Sequence, residues 1–142
     1  AHPPGFDIDP KIVEAAKTNA RKGGGSFEIS HDFKEALKGA NAVFPRSWVT
    51  DELCKVGAKA FGVDREIEIH NRYKDWRLEQ KHVSDLMGKP AIVTHVLPVF
   101  RGEEATDELM DGPNSVIYEQ AEDNLYAKMA VLCLTMAKEV RL

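Results

Sequence analysis

The chain has 142 residues, with 19 Lys plus Arg against 23 Asp plus Glu and a formal net charge of −4. That length supports one domain with a real core and is too short for two ordinary ones. Hydrophobic residues make up 43%, and the 10 glycines and 7 prolines are scattered rather than repeated, which excludes disordered, collagenous and low-complexity chains. The longest unbroken apolar run, Met129 to Leu134, is far short of the roughly 18 residues a membrane span needs. An acidic chain without a clustered basic face offers nucleic-acid phosphates no electrostatic footprint. No signal-peptide pattern is present, and Cys54 and Cys133 lie far apart without a C-x-x-C partner. Neither a disulfide framework nor a structural zinc site is expected, and a reducing cytoplasm fits.

Asp9-Pro10 predicts a helix start, because Asp can cap free amides and Pro is tolerated at the first helical position. Ile12, Val13, Ala16 and Ala20 then recur at helical spacing until Gly23-Gly24-Gly25. Phe27 and Ile29 alternate with polar neighbours and predict a short strand. Asp32-Phe33-Lys34-Glu35 matches a reciprocal capping pattern for a helix that stops at Gly39, and Ala42-Val43-Phe44 reads as a strand ended by Pro45. From about residue 50 to 72 the spacing is helical with a break near Gly62, and Tyr73 to Trp76 is irregular.

Leu78, His82, Val83 and Leu86 form another helical face, closed by Gly88. Ala91 to Val96 is a continuous apolar strand of the kind covered on both faces in parallel sheets. Thr106-Asp107-Glu108 starts a short helix ended by Gly112-Pro113; Ser115 to Tyr118 reads as the last strand and Ala121 to about Lys138 as the last helix. Strands alternating with helices imply an α/β fold, with a Rossmann-like parallel sheet and helices on both faces. Ligands bind such sheets beyond the carboxyl ends of their strands. The last helix is apolar almost all round, so it either packs on its own sheet or docks in part on another domain.

The strand ends supply three clusters. Arg46-Ser47-Trp48 follows the second strand and combines a fixed cation, a hydroxyl and an indole, suited to a small anion with a planar or apolar portion. An exposed arginine and a tryptophan filling a loop core would look the same. His95-Val96-Leu97-Pro98 ends the next strand, with Arg101, Glu103 and Glu104 close behind. A histidine there can polarise or protonate a substrate, or can be an ordinary satisfied core residue. Pro98 lacks an amide, which leaves the Leu97 carbonyl free for a ligand NH2. The third cluster, Glu119 to Asn124, sits where the last strand enters the last helix and carries acidic residues suited to helix stabilisation. No Ser-His-Asp set, metal-ligand spacing, P-loop or G-x-G-x-x-G is present.

His95-Val96-Leu97-Pro98, with the apolar strand before it and Glu-Glu-Ala-Thr-Asp-Glu at 103 to 108 after it, resembles the His-Cys-Leu-Pro region of the aspartate/ornithine carbamoyltransferase superfamily. Ser115 to Ala121 with Asn124 and the helix after it resembles that family's end, and His2-Pro3-Pro4-Gly5-Phe6 with Asp9-Pro10 resembles the start of the second half of its amino-acid-binding domain. Arg46-Ser47-Trp48 and Tyr73-Lys74-Asp75-Trp76 are most similar to the branch that holds N-acetylornithine carbamoyltransferase and its uncharacterised knotted relatives. The resemblance implies carbamoyl transfer from carbamoyl phosphate to an amine of an amino acid or related small molecule, with no metal or organic cofactor. It implies that the Leu97 carbonyl holds the carbamoyl NH2, next to His95 and Pro98, while Arg46, Ser47 and Trp48 face the acceptor. It also implies an N-terminal carbamoyl-phosphate domain as partner and a homotrimer when complete.

Four departures from the family pattern qualify these expectations. Val96 stands where relatives have Cys, Asn124 stands at an arginine position, Phe100 with Arg101 beside it stands at another, and Glu104 stands where the acetylornithine branch has a lysine that can be carboxylated. Val96, Arg101, Glu104 and Asn124 thus join the substrate-binding candidates, and an acceptor other than ornithine is implied. The opposing possibility is a non-catalytic binding or assembly domain that keeps the fold. Ala1-His2-Pro3-Pro4 reads as the middle of a parallel sheet, so residues 1–142 are expected to be most of one domain, lacking a first strand-helix unit.

Overall fold

The computed structural model describes residues 1–46 and 48–136. Helix α1 (Pro10–Lys22) starts where Asp9 accepts the Lys11 N–H, and helix α2 (Phe33–Leu37) starts where Asp32 accepts the Glu35 N–H. Strand β1 (Ala42–Val43) leads to three successive helices, α3 (Asp51–Val56), α4 (Ala58–Phe61) and α5 (Val63–Tyr73). Gly57 and Gly62 divide them, at φ of 79° and 89°, a left-handed region that costs glycine little. A 3₁₀ turn (Lys74–Trp76) and α6 (Gln80–Leu86) precede β2 (Ile92–Val93), followed by α7 (Asp107–Met110) and α8 (Ile117–Met136).

β1 and β2 pair in parallel, Ala42 with Ile92 and Val43 with Val93, and Val93 makes a further parallel bridge to Ser115. The core gathers on that pairing. Leu78, Val93, Leu109 and Ile117 are fully buried, joined by Leu37, Val83, Met87 and Met110. Gly88 lets α2 and α6 end against each other, since a Cβ there would lie 2.8 Å from the Gly39 carbonyl oxygen. The Gly39 N–H donates to Leu86 O and the Gly88 N–H to Ala40 O, both at 2.9 Å.

The parallel α/β class follows the sequence pattern, but the sheet is smaller than the pattern suggests. Phe27 to Ile29 is not a strand; its neighbourhood is tied to the rest of the chain by the His2 N–H, which donates to Ser30 O at 3.1 Å. The segment Ser115 to Tyr118 contributes only the Ser115 bridge. Val116 O already accepts the Gln120 N–H at 2.9 Å, so the helix-forming run that follows draws the chain into α8 at Ile117. The stretch from Ala91 to Val96 also alternates instead of being covered on both faces: Ala91, Val93 and His95 are buried, whereas Ile92 and Val96 are exposed. Its ladder stops because the His95 N–H donates to the Gln120 side chain rather than to a neighbouring strand.

The last helix does not pack on its own sheet. Ile117 is its one buried residue among those described, and Leu125, Met129, Leu132 and Leu134 are all more than half exposed. No described helix is long and apolar enough to cross a membrane.

Candidate functional site

The carboxyl end of β1 opens on a cleft of about 670 Å³ whose walls include His2, Phe44, Arg46, Trp48 and Glu104. Arg46 is exposed at this cleft, with no hydrogen bond or ion pair among the described residues. Trp48 serves as wall and loop core together. Its ring meets Phe6 edge-on at 5.9 Å and His70 at 5.7 Å, Phe6 meets Tyr73 at 5.8 Å, and the Tyr73 hydroxyl donates to Pro4 O at 2.9 Å. This aromatic cluster fixes the first residues of the chain against α5, while the Trp48 Nε1–H remains buried without a partner. Ser47 lies outside the described residues.

Glu104 enters the cleft from the loop after β2 and is 3% exposed. Its Oε2 accepts the Phe100 N–H at 2.7 Å, closing the loop from within, and lies 3.9 Å from His95 Nε2. Its Oε1 has no hydrogen-bond partner. His95 is also buried, stacked on the Phe44 ring at 5.5 Å. The Leu97 N–H donates to His95 Nδ1 at 2.9 Å, so the neutral imidazole carries its proton on Nε2, the side that faces Glu104. Burial holds the His95 pKa below the ordinary 6.5, the Arg46 charge adds to that, and the Glu104 carboxylate only partly opposes it. His95 is therefore a neutral N–H donor near pH 7.

Leu97 has a φ of 57°, in the left-handed region, and no donor among the described residues reaches its carbonyl. Not every expected site residue meets the cleft. His95, Val96, Leu97, Pro98, Arg101 and Asn124 are not on its walls; His95 lies behind Phe44, the wall residue it stacks on. Val96 points outward at 53% exposure, and Asn124 is exposed in the second turn of α8 rather than at the helix start. Arg101 is committed within the chain. Its two terminal nitrogens reach both oxygens of Asp111 at 2.7 Å, Asp107 at 2.9 Å and the Tyr118 hydroxyl at 2.8 Å. These bonds raise its pKa and lower that of Asp111.

Sequence reasoning missed Gln120, which caps the end of β2 from 25 residues away, and the Phe44–His95 stack. No local pattern marks either one. Among the described residues no group of three or more His, Cys, Asp or Glu is gathered as metal ligands would be. The cleft presents the Arg46 cation, and behind its walls lie a buried indole N–H and a buried carboxylate oxygen, both without partners. That set can hold a small molecule bearing both an anionic group and a nitrogen donor.

A parallel α/β domain with such a cleft at its strand ends belongs to the class of small-ligand-binding domains. The description of the aspartate/ornithine carbamoyltransferase Asp/Orn binding domain matches residues 1–135, and the chain belongs to that family. The ornithine carbamoyltransferase of Thermococcus kodakarensis is 38% identical over 137 residues, covering 96% of this chain and 40% of that protein. The structure of ornithine carbamoyltransferase from Pyrococcus furiosus superposes with a TM-score of 0.81 at 33% identity, covering 99% of this chain and 42% of its own. An N-acetyl-L-ornithine transcarbamylase structure gives 0.78 at 26% identity over 94% of this chain and 38% of its own; others of that name hold carbamyl phosphate with N-succinyl-L-norvaline, or acetylcitrulline. The chain thus spans about two fifths of the length of the relatives it matches.

Proposed function

We propose that the protein is a carbamoyltransferase in which this chain is the acceptor-binding half. The observation that carries the reading is the family match over residues 1–135 together with a cleft that exposes Arg46 and is walled by Trp48 and by Glu104, whose buried Oε1 has no partner. Carbamoyl phosphate enters with an N-terminal domain. The amine of an amino acid or related small molecule attacks the carbamoyl carbon; its nitrogen gains the N–C bond and loses a proton, while the C–O bond breaks and phosphate leaves with the electron pair. Such a reaction depends on positioning and on stabilising charge at a tetrahedral centre.

In this reading Arg46, with Ser47 and Trp48, takes the acceptor's anionic part, and Glu104 accepts from its nitrogen. The Leu97 carbonyl, turned out at Pro98, receives the carbamoyl NH2, and His95 holds that turn from beneath. Arg101 contributes through its carboxylate partners instead of touching phosphate. The apolar length of α8 docks on the N-terminal domain, the complete protein is a cytoplasmic homotrimer, and no cofactor takes part.

A second reading, a non-catalytic binding or assembly domain, draws on specific residues. Val96 supplies no thiol, Phe100 is 57% exposed, and Asn124 brings no cation. Calorimetric titration of the full-length protein with carbamoyl phosphate, followed by a ureido-product assay across a panel of amino acids and amines, decides between them. Heat of binding and turnover are expected. Absence of both favours the binding module.

A further inference from the structure

Two side chains in the first turn of α8 reach back to the loop that follows β2. Gln120 Oε1 accepts the His95 N–H at 3.0 Å, and the Tyr118 hydroxyl accepts from Arg101 at 2.8 Å. The Leu97 turn lies between these anchors, its N–H given to His95 Nδ1. Arg101 in turn grips Asp111 through both terminal nitrogens and reaches Asp107, so Tyr118 is joined to α7 as well. Beyond Gln120 every described residue of α8 is exposed. The helix is therefore fastened to the domain at Ile117, Tyr118 and Gln120. A leucine in the left-handed region persists only where its surroundings hold it. Here Gln120 holds one end of the turn and the Arg101 clasp holds the other.

We propose that Gln120 and Tyr118 are positioning residues that pass the orientation of α8 to the Leu97 carbonyl, through the His95 N–H and through Arg101. The kinetic side of this rests on the proposed carbamoyl transfer. The structural side does not. A tilt of α8 about its first turn moves both anchors together, so whatever the rest of α8 packs against sets how the Leu97 carbonyl is presented.

The test is hydrogen exchange by mass spectrometry on the full-length protein, read in peptide 94–100, alongside kinetics. Gln120→Leu removes the acceptor, Gln120→Glu keeps an acceptor oxygen, and Tyr118→Phe removes only the hydroxyl. Exchange in 94–100 is expected to rise several-fold in Gln120→Leu, to rise less in Tyr118→Phe, and to return near wild type in Gln120→Glu. Over the same series kcat falls by about tenfold in Gln120→Leu while the acceptor KM changes little. Unchanged exchange in both Gln120→Leu and Tyr118→Phe overturns the coupling; if Gln120→Leu does not fold, the other two variants decide. A wild-type protein without transfer activity whose 94–100 exchange still responds sinks the proposed function and leaves the coupling standing. Normal turnover with no exchange response sinks the coupling alone.

Discussion

Two stretches of this chain carry apolar side chains that meet opposite fates. Between Leu78 and Ile117 a set of hydrophobic side chains closes on itself: Leu78, Val93, Leu109 and Ile117 are at most 1% exposed. Immediately afterwards, Leu125, Met129, Leu132 and Leu134 stand between 52% and 61% exposed along α8. Hydrophobicity alone does not decide burial; the chain must also return to cover the face. It does so around β2, where strand, α6 and α7 converge, and among the described residues it does not do so after Gln120. The boundary falls at the residues that carry the hydrogen bonds to the candidate site, which is why the site and the uncovered helix belong in one account.

The largest expected effect lies in the covered stretch. Leu109→Ala leaves a cavity among residues that cannot close it, and urea denaturation of the 142-residue chain should show a loss of about 2–5 kcal/mol. A loss under about 1 kcal/mol would mean that this core is less tightly packed than its burial implies.

A smaller effect comes from buried histidine. Burial holds both His82 and His95 below the ordinary 6.5, with Glu79 opposing at His82 and Glu104 at His95. The unfolded chain takes up protons near pH 6.5 that the folded chain still refuses. Stability is therefore complete above that pH, falls as pH drops from 6.5 toward the lowered folded values, and loses nothing more from these groups below them. Thermal melts should show a lower Tm at pH 5.5 than at pH 7.5, and His82→Asn should reduce the slope. An equal slope in the variant would remove His82 from the explanation.

The smallest effect belongs to α8. Leu132→Ala in the 142-residue chain should change stability by no more than about 0.5 kcal/mol, because its side chain is already in water. If α8 docks on an N-terminal domain as proposed, the same substitution in the full-length protein should cost more. Equal and negligible effects in both would contradict the docking.

Much of this was legible in the residues. Asp9-Pro10 and Asp32 announced their helices because capping is local chemistry, readable within four positions. The strands at Ala42-Val43 and Ile92-Val93 and their parallel class followed from apolar runs separated by helices, whereas their direct pairing is seen only in the fold. The end of β2 was not legible, because it depends on one side chain 25 residues away taking the His95 amide. Arg101 illustrates the same limit from the other side. A cation next to a strand end suggests an anion site, but Asp107 and Asp111, six and ten residues on, had the first claim on it. Trp48 satisfied both of its readings at once, as loop core and as cleft wall.

The central claim is that the cleft beside Arg46 holds the acceptor. Steady-state kinetics of Arg46→Ala in the full-length protein, with acceptor and carbamoyl phosphate varied separately, test it most directly. Loss of one charge-assisted contact is worth about 1.5–3 kcal/mol, so the acceptor KM should rise about 10- to 150-fold while the KM for carbamoyl phosphate stays within about twofold. An unchanged acceptor KM, or a rise confined to carbamoyl phosphate, would contradict the account.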